Sequence, residues 1–413
     1  MRCAPLGFAL AAACIVALPL QAQTIAITGG MVHTVDGPAI EGGTVLIRGD
    51  SIVAVGRNVA VPDGATVIDA RGKIVTPGLI HASSDLGLLE VGSISSTSER
   101  SSAGEVTPSF DVAEGINPAS VRIPVARMEG VTSAVAVPSN GVLAGQASLV
   151  ALDGDDLDTM LRHRKAAMVG DLGSDLQDYG GGSHAAGLGK LRQLFRDAQE
   201  YARRRADYQR RDMQDLSAPA AELEALLPML RGEVPYYADA NQARDIRNAL
   251  RLAEEFDLQL IIRGGAEAWQ VADELRAADV PVAVNAFANI PDFQSLGVRW
   301  DNATLLDSAG VTVVLYESET GGPRNLRYAA GHAVRNGMPW EHALRAVTRT
   351  PGELFGTTNG VGVLAPGRPA DVVVWGGDPF EISTHADVVI IGGKETELRS
   401  RQTELLEKYR VLD

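Results

Sequence analysis

The chain has 413 residues and a formal net charge of −15 at pH 7. Hydrophobic residues make up 45% of it and charged residues 22%, which is ordinary for a folded soluble protein and excludes wholesale disorder. A nucleic-acid-binding protein needs a basic surface, and this acidic composition argues against that class. At about 150 residues per domain, the length predicts two or three domains, or one large barrel with an accessory part.

Residues 1–22 have the pattern of a secretory signal peptide. A positive residue precedes an apolar run over residues 6–20, and Leu20-Gln21-Ala22 is a plausible cleavage signal. We therefore expect export to the periplasm, with a lipoprotein signal ending at Cys14 as the alternative. Both cysteines, Cys3 and Cys14, lie in this segment, so the processed chain is expected to use no disulfide and no cysteine ligand. Beyond it, no apolar run reaches the ~18 residues that a transmembrane helix needs.

Both ends of the processed chain are rich in short β-type runs that are broken by glycines. These runs lie at residues 25–27, 45–47 and 52–55 near the start, and at 370–375 and 388–391 near the end. Such runs between paired glycines predict strands and turns. Because chain termini often lie close together, we expect residues 23–72 and 362–413 to form one composite β domain.

The middle of the chain, residues 73–361, alternates between short apolar runs and helical patterns. The apolar runs lie at residues 74–80, 133–137, 166–169, 236–238, 258–262, 280–284 and 311–316. Near-continuous apolar runs are typical of parallel strands that are buried on both faces. Residues 243–256 and 266–278 have the spacing of amphipathic helices. This alternation predicts a parallel (β/α) barrel.

Three further segments interrupt this pattern. Residues 92–120 are rich in Ser, Gly and Pro, and residues 172–189 contain three consecutive glycines, so both are predicted to be loops. Residues 190–216 are predicted to form one long helix. Its arginine runs alternate with acidic residues, so we interpret it as a solvated, salt-bridged face and not as a phosphate site.

Four segments carry longer motifs: Gly72-Lys-Ile-Val-Thr-Pro-Gly-Leu-Ile80, Gly141-Val-Leu-Ala-Gly-Gln146, Ala343-Leu-Arg-Ala-Val-Thr-Arg-Thr-Pro-Gly352 and Gly362-Val-Leu-Ala-Pro-Gly-Arg-Pro-Ala-Asp371. Together they resemble the amidohydrolase superfamily, specifically its imidazolonepropionase-like branch. The resemblance implies a (β/α)8 TIM-like barrel with a composite β-sandwich domain built from both chain ends. It also implies hydrolysis of non-peptide C–N bonds in cyclic amides and small amide or peptide-like substrates. The superfamily holds one or two divalent metals such as zinc at the barrel mouth, and such an ion lowers the pKa of bound water to about 7.

The metal ligands that the resemblance implies are largely replaced in this chain. Ser83 and Asp85 stand where the superfamily has a His-x-His pair, and Asp239 and Gly264 stand at two further histidine positions. Ser318 stands at the position of the catalytic aspartate. We therefore predict no cofactor and impaired catalysis, because no imidazole donor is left at the mouth. The protein is then expected to bind a small molecule, or to form a homo-oligomer or a hetero-oligomer with an active paralogue.

The alternative is an active C–N hydrolase with a carboxylate-rich or metal-free site. The acidic residues near predicted strand ends are Asp85, Asp239, Glu317 and Glu319. Asp85, Asp239 and Glu319 are the candidate catalytic residues, and carboxylates of this kind suit Mg²⁺ or Mn²⁺. The candidate substrate-binding residues are Arg263, Tyr237 and His81. Arg263 would repel a metal ion. It can instead pair with some of these acidic residues, which are then ordinary polar residues of the mouth, or with a substrate carboxylate through two hydrogen bonds.

Overall fold

A computed structural model describes residues 23–154, 156–317, 322–356 and 360–410. The predicted signal peptide, both cysteines, Ser318 and Glu319 lie outside the described residues. No helix in these four ranges is long and apolar enough to cross a bilayer.

The described residues form sixteen strands. These are β1 (Thr24–Val32), β2 (Ile40–Arg48), β3 (Ser51–Gly56), β4 (Thr66–Asp69), β5 (Ile74–Pro77), β6 (Leu79–Ser84), β7 (Val131–Ala136), β8 (Gly145–Ala151), β9 (Leu161–Asp171), β10 (Tyr236–Ala240), β11 (Leu260–Gly264), β12 (Val282–Asn285), β13 (Val313–Tyr316), β14 (Val372–Trp375), β15 (Ala386–Ile391) and β16 (Lys394–Glu395).

The α-helices in the same ranges are α1 (Arg122–Met128), α2 (Leu157–Met160), α3 (Ser174–Tyr179), α4 (His184–Arg203), α5 (Arg205–Arg210), α6 (Ala220–Leu230), α7 (Ala243–Phe256), α8 (Ala272–Ala277), α9 (Asn302–Ser308), α10 (Leu326–Arg335), α11 (Trp340–Ala346), α12 (Arg349–Phe355) and α13 (Arg401–Tyr409). Four short 3-10 helices cover Ser95–Thr97, Val112–Gly115, Ala268–Val271 and Pro323–Asn325.

Strands from both ends of the chain share one eight-stranded sheet. Its order is β16-β15-β14-β5-β1-β2-β3, and β4 pairs with β1. The two chain ends meet where β14 pairs with β5 in antiparallel register, with Val373 opposite Thr76. Apolar side chains from both ends, among them Ile27, Val45 and Val374, are buried in one cluster on this sheet. The exact domain boundaries at residues 72 and 361 stay a prediction.

The remaining strands form a second eight-stranded sheet that is nearly closed into a barrel. Its order is β13-β12-β11-β10-β9-β8-β7-β6, and β13 also contacts β6. Seven of its strands are parallel, but β8 runs antiparallel to both β7 and β9. The short connection between β7 and β8 permits a hairpin and is too short for a parallel crossover. The predicted fold class is confirmed, with one strand departing from the all-parallel arrangement.

The loop predicted for residues 172–189 is mostly helical in the structure. It contains α3 and the start of α4, and the three glycines at 180–182 form the turn between them. Ser183 caps α4 by accepting a hydrogen bond from the backbone nitrogen of Ala186 at 3.4 Å. The long helix predicted over 190–216 ends earlier, because α4 stops at Arg203 and the short helix α5 follows.

Trp375 connects the two sheets. Its side chain is fully buried at the end of β14, and its indole Nε1 donates a hydrogen bond to Thr76 Oγ1 at 2.9 Å. The ring lies directly against Gly130, which precedes β7 and has a φ of 77°. Only a residue without a Cβ fits beneath the indole here, so this glycine fixes the distance between the β domain and the barrel.

Candidate functional site at the barrel mouth

The carboxyl ends of five barrel strands carry polar side chains above an apolar layer. The buried layer includes Val169, Tyr237, Ile261, Ala283 and Val314. Two residues further along β9, β10, β11, β12 and β13 lie Asp171, Asp239, Arg263, Asn285 and Tyr316. Because alternate residues of a strand face the same side, these five side chains face the barrel interior as well. We call these five residues the mouth ring.

Arg263 and Asp239 form a two-point ion pair across neighbouring strands. The two residues are register partners on β11 and β10, and the Nε–Oδ1 distance is 2.8 Å. The Arg263 Nη2 atom also pairs with Asp239 Oδ2, and Nη1 reaches Ser83 Oγ on β6 at 3.4 Å. The guanidinium therefore spans the mouth from β11 towards β6. It also lies 5.4 Å from the centre of the Tyr237 ring, within the range of a cation–π contact.

The surroundings of this ion pair determine whether Arg263 and Tyr237 are charged. Burial acts to lower the pKa of Arg263, but the charge and hydrogen bonds of Asp239 outweigh burial and raise the pKa. The guanidinium is therefore permanently charged. Burial raises the pKa of Tyr237 well above its ordinary value, so this residue stays a neutral phenol. Its ring packs against Phe355, with 4.9 Å between the ring centres.

Asp171 is the functional candidate that the sequence interpretation missed. It is the register partner of Asp239, on β9, and its Oδ1 accepts a hydrogen bond from the backbone nitrogen of Gly173 at 2.5 Å. Burial, followed by the charges of Asp239 and Asp175, raises the pKa of Asp171 to about 7. A carboxyl group with this pKa can give or take a proton near neutral pH. The sequence signal that could have identified Asp171 is its position two residues after Val169, because the same spacing separates Asp239 from Tyr237.

The structure places Asp85 and His81 in a second polar cluster on β6. Asp85 is buried and pairs with Arg122, with 2.8 Å between Oδ1 and Nη2. The His81 Nδ1 atom accepts a hydrogen bond from the Ser83 backbone nitrogen at 3.2 Å, and burial lowers the His81 pKa to about 4. His81 is therefore a neutral residue of the barrel wall. Glu317 is buried beside it, at the end of β13.

The residues present do not fit the metal centre that the resemblance implies. Asp239 is paired with Arg263 and Asp85 with Arg122, so each carboxylate already faces a cation. A cation beside a carboxylate opposes the binding of a second cation there. Across the described ranges, no group of three or more His, Cys, Asp or Glu side chains is placed to hold a metal ion. The carboxylate-rich alternative also invoked Glu319, which lies outside those ranges.

A small polar cavity opens on the mouth ring. Its volume is about 210 Å³. Three residues of the mouth ring, Asp239, Asn285 and Tyr316, line it, and the segment 286–301 between β12 and α9 forms its wall. Asp292, Gln294 and Ser295 of that segment add polar groups to the lining. The structure thus brings together Tyr237, Asp239 and Arg263 of the predicted site residues, and separates them from the pair of Asp85 with Arg122.

Sequence comparisons point to one group of proteins. The family model described as "Amidohydrolase family" matches residues 283–396. The curated protein amidohydrolase tasK from Hapsidospora irregularis is 22% identical in an alignment 386 residues long that covers 85% of this chain. The chain spans 39% of the length of that relative.

Comparison with solved structures agrees with the sequence result. An amidohydrolase from Thermotoga maritima MSB8 is 26% identical with a TM-score of 0.83, over 91% of this chain and all of that one. Molinate hydrolase is 17% identical with a TM-score of 0.56, over 92% of this chain and 96% of that one. A prolidase in complex with N-methylphosphonate-L-proline is 16% identical with a TM-score of 0.54, over 91% of this chain and all of that one. The last two show a common fold.

Proposed function

This chain belongs to the amidohydrolase superfamily, and we propose that it keeps the barrel mouth as a small-molecule site but has lost metal-dependent C–N hydrolysis. The ion pair between Arg263 and Asp239 is the observation that carries this proposal. A guanidinium stands among the strand ends where a hydrolytic metal is expected, and its charge opposes the binding of such a metal. Membership of the imidazolonepropionase-like branch is part of the proposal.

Two further features support the loss of the metal. Asp85 forms a buried ion pair with Arg122 through its Oδ1, and this positive charge opposes the binding of a metal ion at the same carboxylate. His81 is held by the Ser83 backbone in the barrel wall. A superfamily metal needs several imidazole and carboxylate donors that converge on one open point.

The test is a metal analysis of the purified full chain, expressed with added zinc and manganese and measured by elemental mass spectrometry. We expect metal far below one ion per chain, and amide hydrolysis that neither added metal nor a chelator changes. Arg263→Met should raise metal uptake, because it leaves Asp171 and Asp239 without a cation. Arg247→Met, which alters an exposed pair with Glu274, is the matched control. A wild-type protein with one firmly bound metal ion per chain would overturn the proposal.

A second candidate function is metal-free C–N hydrolysis with Asp171 as the general base. The observation that favours it is the position of Asp171 in the mouth ring, as the register partner of Asp239. Burial there raises its pKa to about 7, and a general base works best near the pH of the reaction. Activity on small cyclic amides that survives a chelator and disappears in Asp171→Asn would support it. Activity that is equal in both proteins would exclude Asp171 from the chemistry.

We also propose that residues 1–22 direct export to the periplasm. The supporting pattern is a positive residue followed by an apolar run and a small-residue cleavage signal. The intact mass of protein from a periplasmic fraction tests this, since it should correspond to a chain that starts near Gln23. A lipid-modified chain starting at Cys14 would favour the alternative. Association with an active paralogue stays a prediction.

A further inference from the structure

We infer that the barrel mouth selects a small ligand that carries a positively charged amine. This rests on the proposed function in one respect, because it takes the mouth to be a ligand site. It goes beyond that proposal by naming the chemical class of the ligand.

The described lining of the cavity carries acidic side chains and no basic ones. Two carboxylates, Asp239 and Asp292, line the cavity, and no lysine or arginine is among the described residues that line it. Arg263 lies beside the cavity, but its Nε and Nη2 donate to Asp239 and its Nη1 reaches Ser83. The two-point pairing with a substrate carboxylate that the sequence suggested for Arg263 is thus already taken by Asp239. Because Arg263 neutralises Asp239, Asp292 supplies the unpaired negative charge of the described lining, and this charge favours a cationic group over an anionic one.

Asp292 is the carboxylate best placed to meet such a group. Its Oδ1 accepts hydrogen bonds from the Gln294 backbone nitrogen and from Ser295 Oγ, both at 2.8 Å. These two bonds hold the carboxylate in place, while Oδ2 makes no hydrogen bond or ion pair within the part of the chain that the structure describes. An ammonium group donates three hydrogen bonds and suits an oxygen of this kind.

Neutral polar groups around the cavity are the second argument. The Gln294 carboxamide and the Tyr316 hydroxyl line it, and neither makes a hydrogen bond to another described residue. Burial raises the pKa of Tyr316, so its hydroxyl stays neutral and can donate or accept. Unused polar groups that converge on a concave site are typical of a ligand pocket. At about 210 Å³ the space suits a small ligand with one amine and one or two further polar atoms.

The wall that carries Asp292 is fixed to the barrel at several points. Gln242 Nε2 donates to the Phe293 backbone oxygen at 2.6 Å, and Glu267 accepts from the Gly297 backbone nitrogen at 2.8 Å. Trp269 Nε1 donates to the Gly297 backbone oxygen at 2.8 Å. A ligand therefore meets a preformed carboxylate, and binding does not first have to order the wall.

Calorimetric titration of the full chain with three probes of similar shape tests the inference. The probes are 5-aminopentanamide, which is cationic, pentanamide, which is neutral, and 5-amino-5-oxopentanoate, which is anionic. At pH 8 and low salt, we expect the cationic probe to bind at least about tenfold more tightly than the other two. Added salt should weaken its binding selectively, since the contact is electrostatic. Equal binding, tighter binding of the anion, or no binding of the amine would overturn the inference.

Two single substitutions test whether Asp292 is responsible for binding the cationic probe. Asp292→Asn keeps the oxygen that accepts from Gln294 and removes the charge, and we expect about fivefold weaker binding of the cationic probe only. Asp273→Asn, which changes an exposed aspartate on α8, is the control and should bind like the wild type. Unchanged amine binding in a folded Asp292→Asn protein would overturn the inference. If that variant does not fold, the comparison of the three probes on the wild type tests whether the mouth prefers an amine. Metal content is measured on the same sample. A bound metal ion would contradict the proposed function, whereas the lack of a preference for the amine would contradict only this inference.

Discussion

Asp171 and Asp239 stand directly opposite each other on the parallel strands β9 and β10, with a single guanidinium, that of Arg263, on the next strand. Two carboxylates thus share one cation. Asp239 accepts from the Nε and Nη2 atoms of this guanidinium, and Asp171 instead accepts from the backbone nitrogen of Gly173. Burial and the nearby charge of Asp239 therefore raise the pKa of Asp171.

The raised pKa of Asp171 predicts that this residue makes the protein less stable at high pH. Its pKa is about 7 in the folded chain against an ordinary value of 3.8, so the folded state favours the protonated form. The stability that this preference gives is present below about pH 4 and is lost as the pH rises through about 7. Asp171→Asn imitates the protonated form. Relative to wild type, it should therefore gain about 2 kcal/mol in free energy of unfolding between pH 4.5 and pH 8.

Urea unfolding of both proteins at the two pH values measures this difference. Asp273→Asn serves as the control, because it changes an exposed aspartate on α8 and should give parallel curves at both pH values. A constant difference between Asp171→Asn and wild type across this range would mean that Asp171 is ionised throughout.

Removing the cation of the mouth should destabilise the barrel. Arg263→Met leaves Asp239 partly buried opposite Asp171 without a positive partner, and breaking such a pair costs about 3 kcal/mol. The loss should be smaller at pH 5 than at pH 8, because protonation of Asp171 removes one of the two negative charges. Urea unfolding checks both statements, with Arg247→Met as the exposed control, expected within about 0.5 kcal/mol of wild type. Equal losses at both pH values would contradict the shared-cation description.

Asp85 should behave as a structural residue and not as a catalytic one. Its buried carboxylate ties the end of β6 to Arg122 at the start of α1, so Asp85→Asn should cost about 3 kcal/mol. Replacing both residues, as Asp85→Asn with Arg122→Met, should cost less than the sum of the single changes, since neither charge is then left alone. Binding of 5-aminopentanamide per folded molecule should not change. Loss of binding in a folded Asp85→Asn protein would instead show that Asp85 contributes to the ligand site.

The fold could be predicted because its signals are local and repeated. Apolar runs marked most barrel strands, and glycine-rich turns marked the strands of both chain ends. The antiparallel strand β8 could not be anticipated, because strand direction is decided by the length of the connection and not by the apolar run itself. The helix α3 and the first residues of α4 were assigned to a loop because of the three glycines at 180–182, which form the turn between these two helices.

The site was predicted less completely than the fold. The resemblance put Asp239 and Arg263 at the ends of two strands, and strand periodicity put Tyr237 on the same face as Asp239. Neither signal could show which of the mouth carboxylates pairs with Arg263, because that depends on the register of two strands that are distant in sequence. For the same reason Arg122 was not linked to Asp85, and a candidate catalytic residue is instead half of a buried ion pair.

The contact between Gly130 and Trp375 joins the β domain to the barrel, and we expect it to tolerate no added side-chain atom. Gly130 has a φ of 77°, and the Trp375 ring occupies the space of a Cβ there. Gly130→Ala must therefore strain the backbone and displace a buried indole, which together should cost about 3 kcal/mol. Displacing the indole also breaks its hydrogen bond to Thr76. The free energy of unfolding from urea titration, followed by tryptophan fluorescence, measures this cost.

The matched control is Gly92→Ala, because a Cβ on Gly92 meets no other described atom within 4 Å and its backbone is not left-handed. This change should leave the free energy of unfolding within about 0.5 kcal/mol of wild type. Because Gly130 is close to the start of β7 and far from the mouth ring at the opposite ends of the strands, amine binding by the folded Gly130→Ala protein should be unaltered. If Gly130→Ala were as stable as Gly92→Ala, Trp375 could not be packed against the barrel as described here.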